Sequence, residues 1–98
     1  MTPALISGLN HPVRRQILRL LREPGNEASP SDMRKSMSVG LSTLSFHAQV
    51  LSELGVTYGT RTQQVRGAVE HFYASSVAGN ELVEAILLET AVDDRRRS

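Results

Sequence analysis

Gly55 divides this chain by period, and that break limits the folds open to it. Before it, apolar residues recur three and four apart, the spacing of helices that bury one face. After it, the run VTYGTRTQQVRGAVEHFYASS is rich in Thr, Val, Tyr and Phe, which suit strands. Arg66-Gly67 interrupts that run and can supply a tight turn, with glycine at positive φ. A helical body followed by one β-hairpin, about 57–64 against 68–74, is therefore expected. At 98 residues the chain has room for one domain with a limited core.

The helical body subdivides at its caps. Thr2 followed by Pro3 predicts a short helix over 3–9, weakened by Gly8. Asn10 can cap a second helix, with Pro12 in its first turn and Val13, Ile17, Leu20 and Leu21 on one stripe. Pro24-Gly25 ends it. Ser29, Pro30 and Asp32 resemble a capping box, with Asp in place of Glu or Gln. Met33 and Met37 give that short helix an inner face. A turn at SVG leads to a helix over about 42–54, stopped by Gly55. Its apolar side is Leu41, Leu44, Ala48, Leu51 and Leu54. After the hairpin, Asn80 can cap a terminal helix over about 80–93, with Glu81 and Glu84 in its positive first turn. The final RRRS is expected to fray.

A short helix, a four-residue connection containing Gly40 and a second helix make a helix-turn-helix over about 30–54. The hairpin directly after it makes the motif a winged one. The expected fold is α+β and mostly helical: one winged helix-turn-helix domain over 1–98, with a two-stranded wing over about 57–74. In such a motif the first helix braces the second, which lies in the major groove with its N-terminal residues at base edges.

Three segments carry a family resemblance. LNHPVRRQILRLL resembles the opening helix of ArsR-type winged-helix repressors. STLSFHAQVLSELG resembles their recognition helix. RTQQVRGAVEHFY resembles the wing of a group of actinobacterial-type members. The likeness covers about residues 9–74. It implies a dimeric regulator that binds double-stranded DNA, with repression as the default. Three departures stand out. Metal-sensing members often carry a Cys-containing motif on the early helices, and this chain has no Cys. Ala48 stands where the family commonly has Leu, so packing there should be lighter. The segment after Gly55 is short, so the first wing strand should start early.

The DNA-reading candidates are Ser42, Thr43, Ser45 and Gln49, since hydroxyls serve phosphates or base edges and Gln can pair with adenine twice. Phe46 either touches a thymine methyl or covers the bracing helix. His47 sits where the family has a His, in a structural or phosphate-contact role. Arg34 and Lys35 can clamp phosphate, and Arg61 and Arg66 are the wing cations, Arg66 being nearer the tip. Arg15, Arg19 and Arg22 read as a solvated face. Residues 1–67 hold eight Arg and Lys against four acids, and residues 68–98 three against six, so a polyanion partner would suit the body alone.

The terminal helix is apolar over more than one contact face. With the N-terminal segment it suggests a homodimer through Leu5, Ile6, Leu82, Val83, Ile86 and Leu87. No metal site is expected from three scattered His (His11, His47, His71). No cofactor or enzyme signature is present: no nucleophile triad and no phosphate-cradling Gly loop. No apolar run is long enough to cross a bilayer, and no segment resembles a signal peptide. The absence of Cys fits a cytoplasmic protein. The expected function is a sequence-specific DNA-binding regulator. The alternative is a winged-helix module that has lost DNA and kept only its protein contacts. An effector, if any, is unknown.

Overall fold

The computed structural model describes residues 1–97, with the side chain of Arg97 left aside. The element order is α1 (Pro3–Leu9), α2 (Pro12–Leu20), α3 (Pro30–Arg34), α4 (Leu41–Glu53), β1 (Thr57–Val65), β2 (Ala68–Ser75) and α5 (Glu81–Arg97). This is the expected α+β architecture, with a two-stranded antiparallel wing.

The caps explain most boundaries. Thr2 Oγ1 accepts from the Leu5 amide and Pro3 opens α1. The cap of α2 is His11, not Asn10. Pro12 is the first helical residue, and proline holds the residue before it extended, at φ −154° and ψ 133°. That is the conformation an N-cap needs, and His11 Nδ1 accepts from the Val13 amide at 3.1 Å. Asn10 instead closes α1. Regular α2 geometry stops at Leu20, with Leu21 as C-cap, ahead of Pro24-Gly25. At α3 both bonds of the capping box form: Ser29 Oγ accepts from the Asp32 amide, and Asp32 accepts from the Ser29 amide.

The C-terminus of α4 is a complete Schellman turn. Gly55, at φ 75°, donates to Ser52 O, and Val56 donates to Leu51 O. That turn delivers the chain to β1 two residues later, the early strand start expected after so short a connection. It also sets Val56 against α1. A Cβ on Gly8 would lie 3.0 Å from Val56 Cγ2, so the glycine that weakens α1 is what lets it approach. Arg66 (φ 50°) and Gly67 (φ 82°) form the hairpin turn, both in the left-handed region that matches strand twist. A bulge at Thr60 shifts the register between Gly59 and Arg61. On its other edge β2 exchanges two backbone bonds between Tyr73 and Ala28, fastening the loop after α2 to the wing.

Leu9, Ile17, Leu18, Leu21, Met33, Met37, Leu44, Leu51, Val56, Val83 and Leu87 form one core. Ala48 is buried with them. Asn80 caps α5 as expected, its Oδ1 accepting from the Leu82 and Val83 amides. The helix does not stop near residue 93 but continues to Arg97, so Arg95–Arg97 are helical rather than frayed, and Ser98 lies outside the described residues. No helix among the described residues is long and apolar enough to cross a membrane.

Candidate nucleic-acid interface

The α3–α4 pair presents one exposed polar face. Leu44, His47, Ala48 and Leu51 recur three and four apart and point inward, which turns Ser42, Thr43, Ser45, Phe46 and Gln49 outward. Gly40, the N-cap of α4, supplies no side-chain bond, so the first amides of the helix stay open to an acceptor from outside. Ser45 and Gln49 also line an open groove of about 260 Å³, closed on its far side by Val69, His71 and Tyr73 of β2. Gln49 Nε2 donates to Glu53 Oε1 at 3.3 Å, leaving the amide oxygen free. Phe46 is 59% exposed and meets the His47 ring edge-on at 5.2 Å.

His47 is not part of the exposed face. Its ring lies 4.3 Å from that of His11, and its Nδ1 accepts from Arg14 Nε at 3.2 Å. Burial, then the His11 and Arg14 neighbours, hold His47 below the usual imidazole range. Burial, Arg14 and Arg15 do the same for His11. Leu41, assigned to the apolar side from the sequence, is exposed at the start of α4.

The cations divide into free and engaged. Arg66, at the hairpin tip, is exposed and makes no ion pair among the described residues. Arg34 is exposed on α3, and Lys35 approaches Asp32 only to 3.7 Å. Arg61 is different. Its Nε donates to Glu27 Oε1 at 2.6 Å, and its guanidinium sits 3.8 Å over the Phe72 ring. Thr60 and Arg61 together lower the Glu27 carboxyl below its usual range. Arg61 thus serves the base of the wing.

Arg15 and Arg19 are not a solvated face, whereas Arg22 is exposed as expected. Asp94, from the far end of α5, is fully buried and accepts from Arg15 through both oxygens at 2.8 Å, and from Arg19 Nη1 at 2.7 Å. Arg19 also donates to Leu87 O and Thr90 Oγ1, and Gln16 to Asp94 O. Arg22 pairs with Glu84 at 2.8 Å. The Arg15 hydrogen bonds lower the Asp94 carboxyl most and Arg19 adds to them, bringing it to about 2 against the opposing effect of burial. Neither Asp94 nor Arg14 stands out in the sequence as a site. The signal for Asp94 is its spacing: Val83, Leu87, Thr90 and Asp94 share one helical stripe, and an acid on a buried stripe requires cations opposite.

The expected dimer residues split. Val83 and Leu87 are buried in their own core, and Leu5 and Ile86 pack against it. Ile6 and Leu82 are exposed, and Leu88 and Val92 join them on the outer side of α5. Among the described residues no group of three or more His, Cys, Asp or Glu is arranged to hold a metal.

The model of a family described as a helix-turn-helix domain matches residues 9–57, half of the chain. No curated protein matches the sequence. Among solved structures, the chain is similar to HlyU from Vibrio cholerae N16961, at 24% identity and TM-score 0.60, covering 91% of this chain and 87% of that one. It is similar to a possible transcriptional regulator from Methanosarcina mazei Go1, at 16% identity and TM-score 0.59, covering 96% and 78%. It is also similar to an ArsR family transcriptional regulator, at 19% identity and TM-score 0.55, covering 95% and 84%. At these identities the likeness is one of fold. The matched span takes in α2, α3 and α4, the helices that build the exposed polar face, and the wing follows it. The chain belongs to the helix-turn-helix domain family, and its fold is the winged form of that motif.

Proposed function

We infer that the chain is a sequence-specific regulator that binds double-stranded DNA, acting as a homodimeric repressor. The observation that carries this reading is the outer face of α4. Hydroxyls and an amide stand exposed at its N-terminal half, above uncapped backbone amides, with Arg66 on the adjacent hairpin tip. Short polar groups fit close to base edges, and the tip cation can hold flanking phosphate. The homodimer reading draws on Ile6, Leu82, Leu88 and Val92, an apolar surface that the chain leaves uncovered. Two recognition helices would then enter successive major grooves about 34 Å apart. Repression would be steric, by occupying the promoter. Such a role belongs with the cytoplasmic location expected of a cysteine-free chain.

The test is retention of promoter fragments, its own upstream region included, across a salt series. Log affinity should fall by about 0.9 per phosphate contact for each decade of salt. Gln49→Ala should relax sequence preference. Equal loss on all sequences would count against base reading by Gln49, and no salt-dependent retention of any fragment would overturn the function.

A second reading has one observation in its favour. Arg15 and Arg19 share Asp94 and Arg22 pairs with Glu84, so two of the four excess positive charges in residues 1–67 are offset by α5. A protein-interaction module would need no such excess. Size-exclusion mobility with and without DNA separates the two.

A further inference from the structure

Two imidazoles and a guanidinium lie beneath α4, away from its outer face. His11 ends the approach to α2, and His47 lies on the buried side of α4. Their rings are 4.3 Å apart and tilted by 38°. Arg14 joins three helices at this point. It rises from α2, donates through Nε to His47 Nδ1 at 3.2 Å, and donates through Nη1 to Ser7 O of α1 at 2.9 Å. His11 Nδ1 accepts from the Val13 amide. Each imidazole therefore uses Nδ1 as an acceptor and carries its proton on Nε2. A second proton can enter only at Nδ1. At His11 it breaks the cap of α2, and at His47 it breaks the bond between α2 and α4.

We propose that Arg14, His11 and His47 position the recognition helix, and that a proton taken up at this cluster releases it. The proposal rests on the DNA-binding reading only for its consequence, since the release itself is a property of the folded chain.

The surroundings give the sign. From α2 both rings face Arg14, and His11 also faces Arg15, whose charge is shared with Asp94 of α5. Neither α1 nor α2 contains an acid, and the only one on α4 is Glu53, six residues beyond His47. No carboxylate is therefore placed on these helices to offset a charged imidazole. Protonating His47 would bring its cation against Arg14 and the neighbouring ring, in a partly buried position. The released state binds that proton more tightly than the positioned state does. The positioned state is thus favoured above the ordinary imidazole range and loses ground as pH falls through and below it. Acid should loosen the helix that reads the bases.

The experiment is amide hydrogen exchange of the full chain without DNA, between pH 7.5 and 5.5, with rates corrected for intrinsic chemistry. Protection of the α4 amides should fall severalfold at the lower pH, and that of the β1 and β2 ladder should not. His47→Gln keeps an acceptor for Arg14 and removes the imidazole on α4, so most of the pH effect on α4 protection should be lost, with only the His11 contribution remaining. His11→Asn keeps a cap and should reduce the pH effect without abolishing it, which preserves a test if His47→Gln does not fold. Unchanged wild-type protection, or the same loss in either variant as in the wild type, overturns the proposal. A parallel measurement uses a labelled duplex from the upstream region of the gene. Affinity should fall severalfold in acid for the wild type and much less for His47→Gln. If the duplex is bound at no pH, the DNA-binding reading fails while the exchange result still decides the proton release.

Discussion

At the scale of single residues, partners decide what a charge is available to do. Arg61 and Arg66 are both wing cations in the sequence, five positions apart on one hairpin, with Arg66 nearer the tip. Arg66 stands at a left-handed turn with nothing paired to it among the described residues, while Arg61 is held between Glu27 and the Phe72 ring. Arg66→Ala should weaken binding to all DNA sequences alike and lower the salt slope by about one contact. Arg61→Ala should change DNA affinity much less, and Glu27→Gln should raise affinity for non-specific DNA by releasing the Arg61 charge. Fluorescence anisotropy on mixed-sequence duplexes over a salt series reads all three. An Arg61→Ala loss as large as that of Arg66→Ala would refute this division. His47 teaches a related lesson. Its inward position is legible, because it falls three residues after Leu44 and four before Leu51. Its partner is not, because Arg14 lies 33 residues earlier and no local pattern joins them.

At the scale of elements, short-range chemistry was readable and long-range pairing was not. Caps, the Schellman turn and the hairpin turn each involve residues within five positions, so Ser29, Asp32, Gly55 and Gly67 declare themselves in the sequence. The α2–α5 clasp joins residues 75 and 79 positions apart, and Arg15 and Arg19 along one helix side look solvated until their acid is found. Ser29→Ala should cost about 1 kcal/mol, the usual effect of losing an N-cap side chain, measured by urea unfolding. Asp94→Asn should cost more, about 3 kcal/mol, because it strips two arginines of a buried partner. Arg15 and Arg19 keep some access to water, at 15% and 22% side-chain exposure, which holds the figure near the low end for a broken buried pair. The acid limb gives an independent check. The folded chain holds the Asp94 proton more weakly than the unfolded chain does. The clasp therefore contributes fully above about pH 4 and is lost as pH falls towards about 2. The shift corresponds to roughly 2 to 3 kcal/mol. Asp94→Asn should flatten that limb, and an unchanged limb would show that other carboxylates govern acid unfolding.

At the scale of the whole molecule, the folded chain redistributes its charge. The sequence separates a basic body from an acidic end, yet α5 lays Glu84 and Asp94 against Arg22, Arg15 and Arg19, and the segregation partly cancels through space. What remains free near α4 is Arg34, Lys35 and Arg66. So small a set gives one copy modest attraction for DNA, which makes a second copy functionally important. The terminal helix has two apolar sides, and the proposed dimer gives the outer one a partner. Val83 and Leu87 complete the core of their own chain, while Leu82, Leu88 and Val92 face outward together with Ile6 of α1. The sequence showed the excess of apolar surface but not which half each residue joins, since that depends on where Asp94 rotates the helix against α2. Leu88 is 80% exposed, so Leu88→Lys should leave the fold and its melting of secondary structure nearly intact in the monomer. It should convert the dimer to a monomer in sedimentation velocity, and lower affinity for a two-half-site operator about 100-fold, the scale expected when linked sites become separate ones. Affinity for a single half-site should not change. Unaltered sedimentation would move the dimer interface away from α5, and a dimer lost without loss of operator affinity would mean that one copy suffices to hold the DNA.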